Sequence, residues 1–227
     1  SRDHPFGTDA MGRDLLSRVI LGSRISVTVG LVVVLVAGTT GILAGLVAAY
    51  FEGWVDNVIS RFIDLLLAFP SFLLALSVLT ILGPSLINAM LAVAIATIPS
   101  FARVARGAAL SEKQKDHILA ARVIGVNNVG IIFRHILPNT LAPLIVLATV
   151  SLATAILTTA SLSFLGLGAQ PPTPEWGAIL ARGREYMRVA WWLTVFPGMA
   201  IAISVLALNL LGDGLRDLLD PRLRHRG

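Results

Sequence analysis

The side chains that could do chemistry are few, and their spacing argues against catalysis. Cysteine is absent, which removes a thiol nucleophile, a disulfide framework and a Cys-based metal site together. Four histidines, His4, His117, His135 and His225, lie far apart in the chain and none sits in an HExxH pattern, so metal catalysis finds no support. A loop that cradles nucleotide phosphates needs GxxxxGK followed by Ser or Thr. The two lysines, Lys113 and Lys115, are preceded by Glu112 and Gln114, so that loop does not exist here and ATP-driven work must draw on a separate subunit. No pair of carboxylates stands out. Asp64 follows Arg61 by three residues near the start of an apolar stretch, and an ionisable residue within a membrane is a functional candidate by default; a local i,i+3 pair at the interface is the simpler reading. The expectation is a chain that catalyses nothing and carries no cofactor of its own.

What must position the remaining polar groups is a set of apolar helices. Charged residues are 14% of the 227, against about 25% in soluble domains, and mean hydropathy is +0.81. Charge is absent from residues 25–51, 65–102, 135–174 and 189–212, and a spanning helix needs roughly 20 apolar residues. Val29 to Leu46 is nearly continuous apolar sequence without the alternation of a membrane barrel. The expected fold class is therefore all-α, a polytopic membrane protein with five visible spans at about 25–51, 58–82, 85–106, 136–165 and 190–211. Residues 1–24 are expected outside, with an interfacial helix over 12–22 that puts Leu15, Leu16, Val19 and Ile20 on one face and Arg13, Asp14, Ser17 and Arg18 on the other; residues 25–227 form the membrane domain. Gly83-Pro84 separates the second span from the third, and Gly41 with Gly45 makes a GxxxG step that lets another helix come close. Asn88 and Asn209 either line a pathway or hydrogen-bond between helices, and Trp191 with Trp192 reads as an interfacial anchor.

Lysine and arginine number ten on the side of 103–134 and the tail and seven on the other, so the positive-inside rule puts the 103–134 loop in the cytoplasm and the 165–189 loop outside. The same loop arginines account for the net charge of +5 without a nucleic-acid partner. Ser1 is not an initiator Met and no signal-peptide core is visible, so the native start is expected upstream.

Residues 111–134, SEKQKDHILAARVIGVNNVGIIFR, are the longest polar interruption and the place where a soluble partner would dock. Ser111 with Gln114 reads as a capping box, Leu119, Ala120 and Val123 recur at helical spacing, Gly125 stands where a C-terminal cap would, and Asn127 or Asn128 could cap a second short helix leading through His135 to Pro138. Two short helices about a glycine also describe a DNA-reading helix-turn-helix, but spans on both sides would pin them against a bilayer.

Ala120-Ala121, then Gly125, then Leu137-Pro138 thirteen residues on, resembles the "EAA" loop of the membrane subunits of bacterial ABC importers, the coupling helix that docks into a groove of the ATPase. Leu119 stands where that loop's Glu is expected and His135 where its Ile is. With HPFGTDAMGRDLLSR at 4–18, RHILPN at 134–139, SFLGLGAQPPTPEWG at 163–177 and GDGLRDLLDPRLR at 212–224, essentially the whole chain is similar to the second permease subunit of dipeptide, oligopeptide and nickel importers. The resemblance implies a type I ABC importer permease fold with a further N-terminal helix, making six spans, in the bacterial inner membrane. It implies as partners a homologous permease, two ABC ATPase subunits that hold ATP and Mg, and an extracytoplasmic substrate-binding protein. ATPase coupling would fall to Asp116, His117, Leu119, Ala120, Ala121, Arg122, Gly125, Leu137 and Pro138, and binding-protein contact to Pro171, Pro172, Pro174, Glu175 and Trp176. Short peptides are the expected substrate, with nickel, glutathione or opines as alternatives within the family. An ion-coupled secondary transporter is the alternative from another class; Pro70, Pro99 and Pro197 could break helices as such proteins require, yet the spans hold almost no carboxylates.

Overall fold

Asp14 sets the start of the first helix. Its carboxylate accepts from the Ser17 amide at 2.8 Å and the Ser17 hydroxyl at 2.6 Å, satisfying backbone donors that a helix start leaves free. From there α1, Leu15–Phe51, runs unbroken for 37 residues in a computed structural model that describes residues 4–219. At about 1.5 Å per residue this exceeds the roughly 30 Å hydrocarbon core. The separate interfacial helix expected over 12–22 is thus the first turns of α1. Gly22 does not interrupt it; the helix there runs close against the Pro174 carbonyl and the Trp176 ring.

The chain leaves α1 through Glu52 and Gly53, both at positive φ, and enters α2, Gly53–Leu67, followed by α3, Ser71–Leu82. These two meet at 91°. The single span expected over 58–82 is therefore a broken pair, because Pro70 has no amide to continue the ladder and disfavours helical backbone at Phe69. Ser85 caps α4, Leu86–Lys113, by accepting from the Asn88 amide at 3.1 Å. Helix α4 runs past Arg106 to Lys113, so Ser111 lies inside it and the expected capping box does not form. Then come α5, Asp116–Val123; α6, Asn128–Gly130; a π turn, Ile131–Ile136; α7, Leu137–Asn139; and α8, Leu141–Phe164. Helix α9, Trp176–Gly183, a 3-10 turn, Arg184–Tyr186, and α10, Trp192–Leu219, complete the described chain. Helix α10 extends well past the expected limit at 211. Arg2 and the tail arginines Arg222, Arg224 and Arg226 lie outside the described residues.

Among the described residues four helices are long and apolar enough to cross a membrane, five if the bent pair counts as one span, which agrees with five spans. At the centre α1 lies against α4 through the glycine step. A Cβ at Gly41 would stand 2.6 Å from the Ile98 carbonyl, and one at Gly45 would run into that of Ala102, so the backbones touch as the GxxxG reading requires. Val33, Ala37, Leu79, Ala92, Phe101 and Leu162 fill the shared core of α1, α3, α4 and α8. A second cluster, Leu46, Ala49, Tyr50, Ala109, Ile118, Ile131, Ile132 and Ile136, closes the end that carries α5. A third, with Leu15, Ala160, Trp176, Ile179, Leu193 and Ile201, closes the opposite end.

Candidate functional site

Helix α5 is a short platform with one face fastened down. Ile118 is fully buried and Ala121 is 4% exposed, while Asp116, His117, Leu119, Ala120 and Arg122 face out. Ala120 and Ala121 cannot share a face, since successive helical residues point about 100° apart. Of the two alanines expected to serve ATPase coupling, Ala120 is on the surface, whereas Ala121 belongs to the packing beneath and has little surface to offer a partner. Gly125 ends the helix at φ +84. Its amide donates to the Arg122 carbonyl at 3.0 Å and that of Val126 to the Ala121 carbonyl at 3.0 Å, the paired bonds of a Schellman cap. Asn127 caps the next turn by accepting from the Gly130 amide at 2.7 Å.

Tyr50, from the far end of α1, holds this platform. Its hydroxyl donates to Asn128 Oδ1 at 2.7 Å, and its ring lies 5.3 Å from the Arg122 guanidinium and 5.5 Å from Lys113 Nζ. Lys113 Nζ also donates to the Tyr50 carbonyl at 2.6 Å and pairs with Glu52 at 2.9 Å. Buried Glu112 pairs with Lys115 at 2.5 Å and His117 at 3.3 Å. Leu137 joins the cluster around Ile118. Pro138, exposed, follows the π turn, and Asn139 Nδ2 donates to the His135 carbonyl at 2.6 Å. Reading the sequence missed Tyr50, which looks like the end of a span, and the most exposed apolar side chains of the loop, Val123 at 87% and Ile124 at 79%. Two apolar residues just before a capping glycine were the available signal.

At the opposite end the proline-rich segment divides. Pro171 and Pro172 are exposed and Pro174 is partly so. Glu175 and Trp176 are only 2% and 3% exposed, so neither has surface to offer a binding protein, and that expectation is corrected. Glu175 instead caps α9, accepting from the amides of Gly177 at 3.0 Å and Ala178 at 2.9 Å. Burial pushes its carboxyl above the ordinary range, against those amides and the hydroxyls of Ser163 and Ser26. Trp176 Nε1 donates to the Val19 carbonyl at 2.9 Å.

The other candidates resolve locally. Asn88 Nδ2 donates to the carbonyls of Leu82 and Gly83 at 2.8 and 3.0 Å, which makes it a brace for the α3–α4 turn. Asn209 is exposed on α10. Asp64 pairs with Arg103 on α4 at 2.9 Å and not with Arg61 as expected, because the packing of α2 on α4 brings the more distant arginine within reach. Trp191 is exposed, whereas Trp192 closes over Gly7 and donates to the Thr8 carbonyl at 3.3 Å, so the anchor pair is split between surface and packing. No group of three or more His, Asp or Glu residues suited to a metal ion occurs among the described residues.

Residues 41–225 match the family described as binding-protein-dependent transport system inner membrane component. The chain is 49% identical over 220 residues to the di/tripeptide transport system permease protein DppC of Pseudomonas aeruginosa (strain UCBPP-PA14), covering 97% of this chain and 73% of that protein. It is 50% identical over 224 residues to the glutathione transport system permease protein GsiD of Pectobacterium atrosepticum, covering 99% and 74%. Among solved structures, an inward-facing conformation of the MetNI methionine ABC transporter superposes with a TM-score of 0.72 at 18% identity, over 91% of this chain and 98% of that one. An amino acid ABC transporter with histidines gives 0.63 at 17%, over 92% and 95%.

Proposed function

This chain belongs to the family of binding-protein-dependent transport system inner membrane components, as a multi-pass permease subunit of an ABC importer, and on that premise we propose how it works and what it carries. It pairs with a homologous permease to form the path. Helix α5 seats in the ATPase subunits, which bind ATP and Mg and supply the energy. The opposite end, with Pro171 and Pro172, meets a substrate-binding protein outside the cell. The substrate is a short peptide, glutathione included, since relatives named for di/tripeptide and glutathione transport match this chain almost equally well.

The observation that supports the coupling role is the contrast within α5. Val123 and Ile124 are 87% and 79% exposed on a segment whose other face is clamped to α1 and α4 through Tyr50, Lys113 and Ile118. Exposed apolar side chains on an ordered loop favour burial by a partner. A platform fastened to two long helices transmits a push as a rigid body. ATPase closure would then swing α1 and α4 and change which end of the path is open.

Ile124→Asp, which alters only an exposed side chain, is expected to insert normally but to lose both ATPase co-purification and transport. Gly125→Asp is expected to do the same by straining a position at φ +84, whereas Leu119→Glu should be tolerated. Normal transport with retained ATPase in Ile124→Asp and Gly125→Asp would place the coupling surface elsewhere.

A further inference from the structure

At the end opposite α5, arginines converge on a cavity of about 180 Å³ between the 9–13 turn, the start of α1 and the C-terminal end of α9. Asp9 is the well-placed carboxylate there, and it is already engaged. It accepts from the amides of Met11 and Arg13 at 2.9 and 3.0 Å and from Arg13 Nε at 2.7 Å. Arg18 Nε stands 3.7 Å from the same group, on a side chain only 12% exposed. Arg182, facing it across the cavity wall, makes no ion pair among the described residues, and its Nη2 is buried without a hydrogen-bond partner. Glu185 also borders the cavity, but it is exposed and pairs with none of these guanidiniums among the described residues.

Arg13, Arg18 and Arg182 set against Asp9 and Glu185 leave one positive charge unmatched. A buried donor without an acceptor is costly, more so on a charged group. The C-terminal end of α9 offers Arg182 a favourable dipole, but it gives Nη2 nothing to donate to. Ile179 and Leu193 also line the cavity, so its wall is partly apolar. The cavity has room for an acidic group.

We propose that this cavity is a carboxylate-binding site, in which a single carboxylate bridges Arg18 and Arg182, takes the hydrogen bond that Arg182 Nη2 lacks and cancels the unmatched charge. Guanidinium–carboxylate pairs of this kind are short and directional. The carboxylate has two sources, an acidic side chain of a protein docking at this end or the C-terminus of a peptide. The site is remote from α5, and its binding test stands whether or not α5 is the coupling surface.

The test uses the purified permease, with the subunits that accompany it, in lipid nanodiscs. Thermal unfolding is followed while sodium acetate replaces sodium chloride at constant ionic strength, with acetamide as the uncharged isostere. A ligand that binds the folded state raises Tm saturably. Acetate should do so and acetamide should not; Arg182→Gln should abolish the shift and Arg182→Lys should retain part of it. Acetate indistinguishable from chloride, or an acetate shift that survives Arg182→Gln, overturns the proposal. If Arg182→Gln inserts poorly, Arg182→Lys carries the site test, and a full-size acetate shift in it that matches the wild type overturns the proposal. The sources separate in transport. A tenfold loss of binding-protein affinity in Arg182→Gln places the carboxylate on that protein. A tenfold rise in KM for a dipeptide with a free C-terminus, but not for its amide, places it on the substrate. No change in either overturns a role in import.

Discussion

Glu175 shows how far a residue's role depends on what surrounds it. In the sequence it follows three prolines in a segment that reads as an exposed docking loop; in the structure it is the buried cap of α9. Its carboxyl titrates above the ordinary 4.5 because burial outweighs the two amides and two hydroxyls that favour its charge. A group raised in the folded state contributes its full stabilisation below the ordinary value and loses it as pH rises through the raised one. Melting of the purified complex should therefore carry a component that declines with pH across that window, and Glu175→Gln should remove the component. Parallel wild-type and Gln profiles would show that Glu175 does not titrate there. Below that window Glu175→Ala, which deletes both cap bonds, should cost about 0.5–2 kcal/mol, the usual range for a lost helix cap, and the cost should shrink as pH rises through it.

Between elements, the decisive contacts are those where backbones or charges meet at close range. Gly45 has no space for a side chain against α4, whereas a Cβ at Gly107 meets nothing within 4 Å. Gly45→Leu is expected to separate α1 from α4 and render the protein sensitive to limited proteolysis in membranes. Gly107→Ala should be neutral or stabilising by up to about 1 kcal/mol. The two ion pairs from α2 to α4 should rank just as clearly. Asp56, 16% exposed, accepts from Arg106 Nε at 2.6 Å and Nη2 at 2.5 Å and from the Ser60 hydroxyl at 2.9 Å. Asp64 and Arg103 meet once, with both side chains 63% exposed. Thermal unfolding in detergent should show a loss of roughly 1–3 kcal/mol for Asp56→Ala, which strands a partly buried guanidinium, and at most about 1 kcal/mol for Asp64→Ala. Equal effects would mean that burial does not set the strength of these pairs.

For the molecule as a whole, orientation is the property on which the coupling proposal depends. The absence of cysteine allows single reporters. Gln170→Cys, exposed at the α9 end, should react with an impermeant thiol reagent in intact cells, and Ile124→Cys should react only after the membrane is permeabilised. Lys113, though charged and near the loop, is a poor reporter site because its amine is spent on the Ala49 and Tyr50 carbonyls and on Glu52. Labelling of Ile124→Cys from outside would reverse the orientation and remove α5 from the reach of cytoplasmic ATPases.

Class, approximate spans, the glycine step, the cap at Gly125 and a second cap at Asn127 or Asn128 were legible in the sequence alone. Each depends on the residues of one segment: uninterrupted apolarity over a membrane's thickness, the small size of glycine, or a side chain's reach to its own backbone. Only the tertiary structure decided that Ala121 turns inward while Ala120 turns out, that Asp64 finds Arg103 and not Arg61, and that Glu175 and Trp176 are buried. It also brought Tyr50 to Asn128 and gathered Arg13, Arg18 and Arg182 around one cavity. These are contacts between residues 39 to more than 160 positions apart. Local pattern constrains which face of a helix is apolar, but not which neighbour covers that face or which distant charge it meets, because those follow from how whole helices pack.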